Sequence, residues 1–391
     1  MSNRTSAPKE ADNDWPAGLI PSNNRPILEL SRQSRSIPGV IMRLLVIISL
    51  LLSAAYGQDK TGGNIHGLIV GDYFYKSGGD QQPFGDSLTQ YSRPIARDFQ
   101  AFQIRRLHLF YDYTISEMFF TRFQLEGTNK SLDPGGRQSL YVKTVYGEWR
   151  NIFQGSNFLL GLVPTPTWAS VEGIWGFRSI EKTITDGRNL GSGSDVGALL
   201  QGSIPASIPI TYAAMMGNGS GLKPEFNRSK KYYGMLSATP VGPLRVEFYA
   251  DYEPAENKMD RTTLKGFVSY QSPEFMAGAE LLQQTQGNQG PAQPDAAVFG
   301  VSIYSWYQPV NHFKVFARAD YFDPNRFTST DGFREYFFSV GLDYAPAREF
   351  HCMPNLWVNA FADKSGLNRH KDADIVPRLT FYFTFNGSTN E

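Results

Sequence analysis

Apolar and polar residues alternate along most of this chain with a period of two. The clearest run sets Leu379, Phe381, Phe383 and Phe385 against Arg378, Thr380, Tyr382 and Thr384. The same split recurs in Phe119, Thr121, Phe123 and Leu125 against Arg122, Gln124 and Glu126, and in Leu244, Val246, Phe248 and Ala250 against Arg245, Glu247 and Asp251. Successive side chains of a strand point to opposite faces, so the pattern predicts strands with one wet and one apolar face. Such segments lie near 65–75, 100–113, 117–128, 139–150, 156–163, 194–203, 207–217, 230–239, 243–253, 261–271, 274–284, 296–307, 311–321, 334–344, 355–363 and 375–385. That makes about sixteen strands. No sustained helical stripe competes with them outside 168–190. Beyond residue 57 no apolar run approaches the roughly 20 residues a membrane-spanning helix needs.

The connections sort by parity. Those after the second, fourth, sixth, eighth, tenth and twelfth strands are tight, at 114–116, 151–155, 204–206, 240–242, 272–273 and 308–310, whereas most of the others are long. A long connection at 345–354, after the fourteenth strand, breaks the rule. An even number of strands with short turns at one end and long loops at the other predicts an all-β fold, a transmembrane antiparallel β-barrel. A soluble β-sandwich also alternates, but one this large needs two domains and a linker, and no composition shift divides 58–391. The apolar faces also carry aromatic residues at their ends. Tyr73, Tyr75 and Tyr321 fall on the long-loop side, and Tyr111, Tyr113, Trp149, Tyr307, Tyr344 and Phe385 on the short-turn side, as two interfacial belts would require. Closure into a barrel leaves no unpaired edge in lipid.

Composition supports this picture and removes alternatives. The chain is 14% aromatic and only 19% charged, and its 37 Lys and Arg balance 37 Asp and Glu, so nothing points to a nucleic-acid partner. One cysteine allows no intrachain disulfide and no cysteine-based zinc site, and five scattered histidines offer little for a metal, so no metal site or cofactor is expected. Cys352 reads as an incidental turn residue. No His-Glu-x-x-His, Gly-x-Ser-x-Gly or phosphate-loop lysine motif occurs, and no catalytic residues are expected. His108 and Asp112 share a face but lie about 13 Å apart along a strand, too far for a dyad.

At 42–57, Met42-Arg43, an apolar core at 44–52 and small residues at Ala55 and Gly57 have the three parts of a secretory signal peptide. Residues 1–41 then read either as an upstream start-site misassignment or as a disordered extension, and 58–391 as the exported barrel. The final alternating strand up to Phe385 looks like the signal that the barrel-assembly machinery reads, with six further residues after it.

One stretch carries a more specific resemblance. Gly161-Leu-Val-Pro164-Thr-Pro-Thr-Trp168, then Glu172, Arg178-Ser-Ile-Glu181-Lys182, Asp186-Gly-Arg188 and Ser194-Asp195-Val-Gly197 together resemble the phosphate-selective porin O and P family of bacterial outer membranes. The resemblance is carried by 156–203 and is architectural elsewhere; Ser194 stands where the family has Arg before the Asp. It implies a homotrimeric, sixteen-stranded porin whose third extracellular loop, here 164–193, folds inward, and phosphate as a solute.

The pore can also be read from the residues. A barrel of this size leaves a water-filled lumen, and inward-facing charge sets what passes. Arg106, Arg122 and Lys143, with Glu126 among them, are expected on one wall. Loop 164–193 brings Glu172, Glu181 and Asp186 together with Arg178, Lys182 and Arg188, and Asp195 follows it. A basic wall facing a partly acidic loop would orient solutes at the narrowest point; alternatively these charges only solvate the lumen and pair with one another. Trp168, Trp175 and Phe177 either stack on passing sugars or anchor the loop. The expected partners are outer-membrane lipid and lipopolysaccharide, and small hydrophilic solutes that diffuse through passively. The alternative is a barrel without a channel that serves as a surface adhesin or structural protein.

Overall fold

A computed structural model describes residues 61–81, 95–255, 259–287, 295–327 and 332–388. The expected export signal and everything before it lie outside the described residues. The described residues form sixteen strands. These are β1 (Gly62–Tyr75), β2 (Gln100–Thr114), β3 (Phe119–Leu132), β4 (Gln138–Phe153), β5 (Ser156–Pro164), β6 (Ser194–Ile204), β7 (Ile210–Gly217) and β8 (Lys231–Val241). They continue with β9 (Leu244–Glu253), β10 (Arg261–Gln271), β11 (Phe275–Gln286), β12 (Ala296–Val310), β13 (Phe313–Asp323), β14 (Phe333–Ala347), β15 (Phe350–Asp363) and β16 (Asp374–Ser388). Two short helices, α1 (Ala169–Trp175) and α2 (Ile184–Gly187), interrupt the connection between β5 and β6. Among the described residues no helix is long and apolar enough to cross a membrane.

Each strand pairs antiparallel with its sequence neighbours, and β1 pairs with β16, so the sheet is a closed barrel. Its outer face is apolar: Phe123, Leu160, Leu236, Phe248, Leu264, Leu281, Ile303, Val340 and Leu379 are all exposed on it. The alternate positions point inward and are mostly polar, among them Glu247, Asp251, Lys265, Glu280, Arg318, Asp320, Arg378 and Thr380, all buried. An apolar exterior over a polar interior is the inverse of a water-soluble domain, and suits a barrel whose outside faces lipid.

Closure depends on two glycines. Gly67 and Gly71 of β1 lie opposite Phe385 and Phe381 of β16. A Cβ on Gly67 would sit 2.5 Å from the Phe385 ring, and one on Gly71 2.3 Å from the Phe381 ring. The two rings therefore lie over bare backbone and cover the seam where the first and last strands meet.

The exception at 345–354 is corrected, and the parity of the connections holds except after β3, where residues 133–137 form a turn as short as 205–209 after β6. β14 continues to Ala347 and β15 begins at Phe350, leaving only residues 348–349 between them. Pro346 and Pro354 gave that stretch the look of a loop. Pro346 falls within a register irregularity between Tyr344 and Ala347, where a strand tolerates a residue with no N–H to donate. Cys352, expected in a turn, is instead a β15 strand residue opposite Tyr344 and Phe381.

Two bulges matter for the interior. Between β1 and β2 the pairing steps from Val70–Arg106 to Gly71–Ile104, leaving Arg105 as the extra residue. Between β3 and β4 it steps from Gln124–Thr144 to Leu125–Val142, leaving Lys143 extra. A bulge breaks the alternation locally. Arg105 and Arg106, and likewise Lys143 and Thr144, are adjacent pairs that both contact inner-face groups.

Candidate constriction site

The connection between β5 and β6 is the longest whose residues are all described, and its own sequence shapes it. In α1, Val171 and Trp175 are one helical turn apart and both fully buried. Gly176, at φ 74°, ends the helix in the left-handed region and donates its N–H to the Glu172 carbonyl at 2.9 Å. Val171, Trp175, Phe177 and Ile180 pack against Phe267, Met276, Tyr304, Trp306, Phe316 and Met353, inner-face residues of β10 to β15. The ring centroids of Trp175 and Tyr304 are 5.2 Å apart, and those of Phe177 and Phe316 4.5 Å. Trp168, Trp175 and Phe177 are all buried, so these rings anchor the segment and present no face to a passing sugar.

Polar contacts complete the attachment. Wall side chains donate to backbone carbonyls of the segment: Lys265 to Thr167, Arg105 to Ser179 and Ile180, Arg378 to Ile180, Arg318 to Lys182 and Gln284 to Leu190. Carbonyls outside regular structure need such partners when buried. Each of these cations also meets a carboxylate of the wall. Arg105 lies 2.8 Å from Asp72, Arg318 2.7 Å from Asp320, and Lys265 3.8 and 3.9 Å from Glu247 and Glu280. The arrangement neutralises buried charge and satisfies carbonyls with the same side chains.

On its remaining side the segment carries Glu172, Arg178, Lys182 and Asp186. Arg178 pairs with Glu172 and, at 2.5 Å, with Asp186, which Lys182 also reaches at 3.1 Å. Burial, reinforced by the charge of Asp186, pushes the Glu172 carboxyl up to about 7 against the opposing pull of Arg178. Burial would also raise Asp186, but Arg178, Lys182 and Arg106 outweigh it and hold that carboxyl at about 2. One arginine thus serves two acids that share a buried site.

Across from this cluster, Glu126 of β3 gathers Lys143 at 3.0 Å, His108 at 3.2 Å and Arg106 at 3.6 Å. Between the segment and this wall lies a cavity of about 80 Å³, lined by Arg105, Arg106, Lys130, Arg178 and Lys182 with Val70, Thr128 and Asn129.

The remaining candidate residues fall elsewhere. Arg122 is held by both oxygens of Asp112 at 2.6 Å, with His66 on the same carboxylate at 3.1 Å, towards the short-turn end. Glu181 turns the opposite way and accepts from the Trp357 indole at 3.0 Å. Arg188 pairs with Glu335 of β14. Asp195 is fully buried and accepts from Tyr233 at 2.8 Å and from the N–H groups of Gly219 and Gly221 at 2.7 and 3.2 Å, organising the next loop. The expected wall of Arg106, Arg122 and Lys143 is therefore Arg106, Lys143 and His108 around Glu126, and Glu181 does not face it. Strict alternation hides Arg105, the extra residue of β2, whereas its partner Asp72 follows the alternation of β1, opposite Thr380. Among the described residues, no three His, Cys, Asp or Glu are placed to hold a metal ion.

No protein-family model and no curated protein matches this chain. Solved structures do. The outer membrane channel DcaP of Acinetobacter baumannii superposes with a TM-score of 0.58 at 11% identity, over 83% of this chain and 97% of that one. The fold is that of the bacterial outer-membrane porins. An anion-selective porin from Comamonas acidovorans gives 0.56 at 12% identity, over 83% of this chain and all of that one. OmpF of Salmonella typhi, in complex with daunomycin, gives 0.53 at 9% identity, over 84% of this chain and 98% of the other. At such identities the likeness extends to the barrel, and the phosphate-selective family suggested by 156–203 is not among these three.

Proposed function

We propose that this protein is an outer-membrane porin through which small hydrophilic solutes diffuse passively, with small anions, phosphate among them, preferred. In this reading, 165–193 narrows the lumen and solutes pass between its charged side and the wall formed by β2, β3 and β4. The observation that carries it is the charge around that passage. Arg105, Arg106, Lys130, Lys143, Arg178 and Lys182 outnumber Asp72, Glu126, Glu172 and Asp186, and each of these acids contacts at least one of the cations. Charge lining a constriction selects ions by sign. The porin-like fold and the apolar outer face support passage across an outer membrane. The name of the Comamonas acidovorans neighbour supports the anion preference.

We further propose a homotrimer embedded in outer-membrane lipid and lipopolysaccharide, exported through the signal at 42–57 and inserted by the barrel-assembly machinery acting on β16. OmpT of Vibrio cholerae, a barrel of similar fold, has been solved in a trimer form. Swelling of liposomes carrying the folded protein tests the transport reading. A small organic anion is expected to enter faster than a neutral sugar of similar size. Equal rates contradict the anion preference, and no swelling contradicts the porin.

A further inference from the structure

Glu126 is 3% exposed, yet it is the acid on which the basic wall converges. One carboxylate oxygen faces Arg106 and His108, the other Lys143. These groups come from two different strands, and the bulges in β2 and β4 occur beside them: Lys143 is itself the extra residue of β4, and Arg106 follows the extra residue of β2. The backbone leaves regular alternation twice to bring cations to this wall.

We propose that Glu126 is the built-in counter-ion of the passage, a positioning residue that sets how much positive charge a solute meets. The inference rests on the reading of this gap as the solute path. Three consequences of the geometry support it. A carboxylate surrounded on both oxygens has little left to offer a passing cation, so it does not act as a cation site. It draws Arg106 and Lys143 back against the wall, which keeps the gap beside Arg178 and Lys182 from being filled by their side chains. And it cancels one of the two positive charges it holds, so the wall is weakly rather than strongly anion-attracting. A more retentive wall would bind anions tightly enough to slow their exit, whereas conduction needs weak binding.

The test is the zero-current potential of the protein in planar bilayers under a potassium chloride gradient. Glu126→Gln keeps the volume and removes the charge, and it is expected to raise the chloride-to-potassium permeability ratio about tenfold, as one uncovered charge some 6 Å away in water would by favouring the anion about threefold and disfavouring the cation about threefold. Adding Lys143→Gln restores the charge balance and is expected to return the ratio to near the wild-type value. A residue needed only for folding would change barrel yield and leave the ratio of the folded channels alone. An unchanged ratio in Glu126→Gln, with a lowered ratio in Arg106→Gln, overturns the role of Glu126 and leaves the solute path standing. A wild-type channel with no anion preference, or one indifferent to Arg106→Gln, overturns the path itself. If Glu126→Gln alone does not form a heat-modifiable barrel, the double variant Glu126→Gln with Lys143→Gln, compared with Lys143→Gln, decides. The double variant carries one negative charge fewer, so its ratio is expected to lie above that of Lys143→Gln by the same factor, and an identical ratio overturns the proposal.

Discussion

Arg105 and Arg106 are adjacent in sequence, yet both side chains turn into the barrel. Arg105 reaches Asp72 and the carbonyls of Ser179 and Ile180, while Arg106 reaches Glu126 on the neighbouring strand. The bulge opposite Val70 and Gly71 makes this possible. One arginine holds the connecting segment in place and the next faces the gap beside it, so the attachment of 165–193 and the charge of the proposed passage rest on a single irregularity.

Removing the first of these functions is expected to loosen the segment. Arg105→Ala strips two hydrogen bonds from its backbone and leaves Asp72, which is fully buried, with Arg378 at 3.9 Å as its remaining ion contact. Breaking a buried pair costs on the order of 3 kcal/mol. The expected outcome is a lower temperature for loss of the heat-resistant barrel on gels and noisier open-channel current. An unaltered variant on both counts would show that the segment is held by its apolar contacts alone.

The apolar contacts can be tested separately. Trp175 is fully buried among Phe177, Tyr304 and Phe316. Its truncation to Ala should cost about 3–5 kcal/mol of packing. Since most of its partners are on the wall, that loss falls on the attachment of the segment. Liposome swelling with sugars of increasing size is expected to show a larger exclusion limit in Trp175→Ala than in the wild type.

Much of this architecture is legible in the sequence, and the parts that are not share a cause. Alternation reveals a strand wherever aromatic and aliphatic residues keep strict parity, as in β3, β9 and β16, and short turns of one parity indicate which end of the barrel is which. Parity fails where the backbone does. Pro346 concealed the end of β14 because its missing N–H reads as a break, although the pairing irregularity there accommodates it. Arg105 escaped because a bulge reverses the face of the residues beyond it. The direction of Glu181 is set by Trp357, a residue 176 positions away, and no local pattern encodes that contact. Likewise Arg122 belongs with Asp112, opposite it across the β2–β3 ladder, rather than with Arg106.

Acid is expected to change the selectivity. The groups facing Glu172 are Arg178, Asp186, Arg106 and Lys182, and its carboxyl lies near 7, above its ordinary value of 4.5. Burial holds the Glu172 carboxyl up while Arg178 and Lys182 hold Asp186 down, so as the pH falls the pair takes up a proton and the proposed passage loses one negative charge. A carboxyl raised in the folded state favours folding fully below its unfolded value and loses that contribution as pH rises from about 4.5 to about 7. The permeability ratio for anions should therefore increase between about pH 8 and pH 6, and the attachment of the segment should strengthen with it. Glu172→Gln is expected to show the high ratio at both values. A wild-type ratio flat across this range would exclude Glu172 as a titrating group.

The seam offers a test of the barrel itself. Gly67→Val and Gly71→Val each place a branched side chain where the rings of Phe385 and Phe381 lie. Because β1 and β16 must pair to close the sheet, either variant is expected to fold to heat-modifiable barrel in much lower yield. Full yield would mean that the rings can move aside at little cost.

The most direct test of the whole account is planar-bilayer recording from the folded protein in a salt gradient, before and after phosphate is added. The account predicts stable open steps, a zero-current potential of the sign that marks anion preference, and a fall in chloride current when phosphate enters the same passage. A verified, heat-modifiable barrel that gives no conductance steps would contradict it.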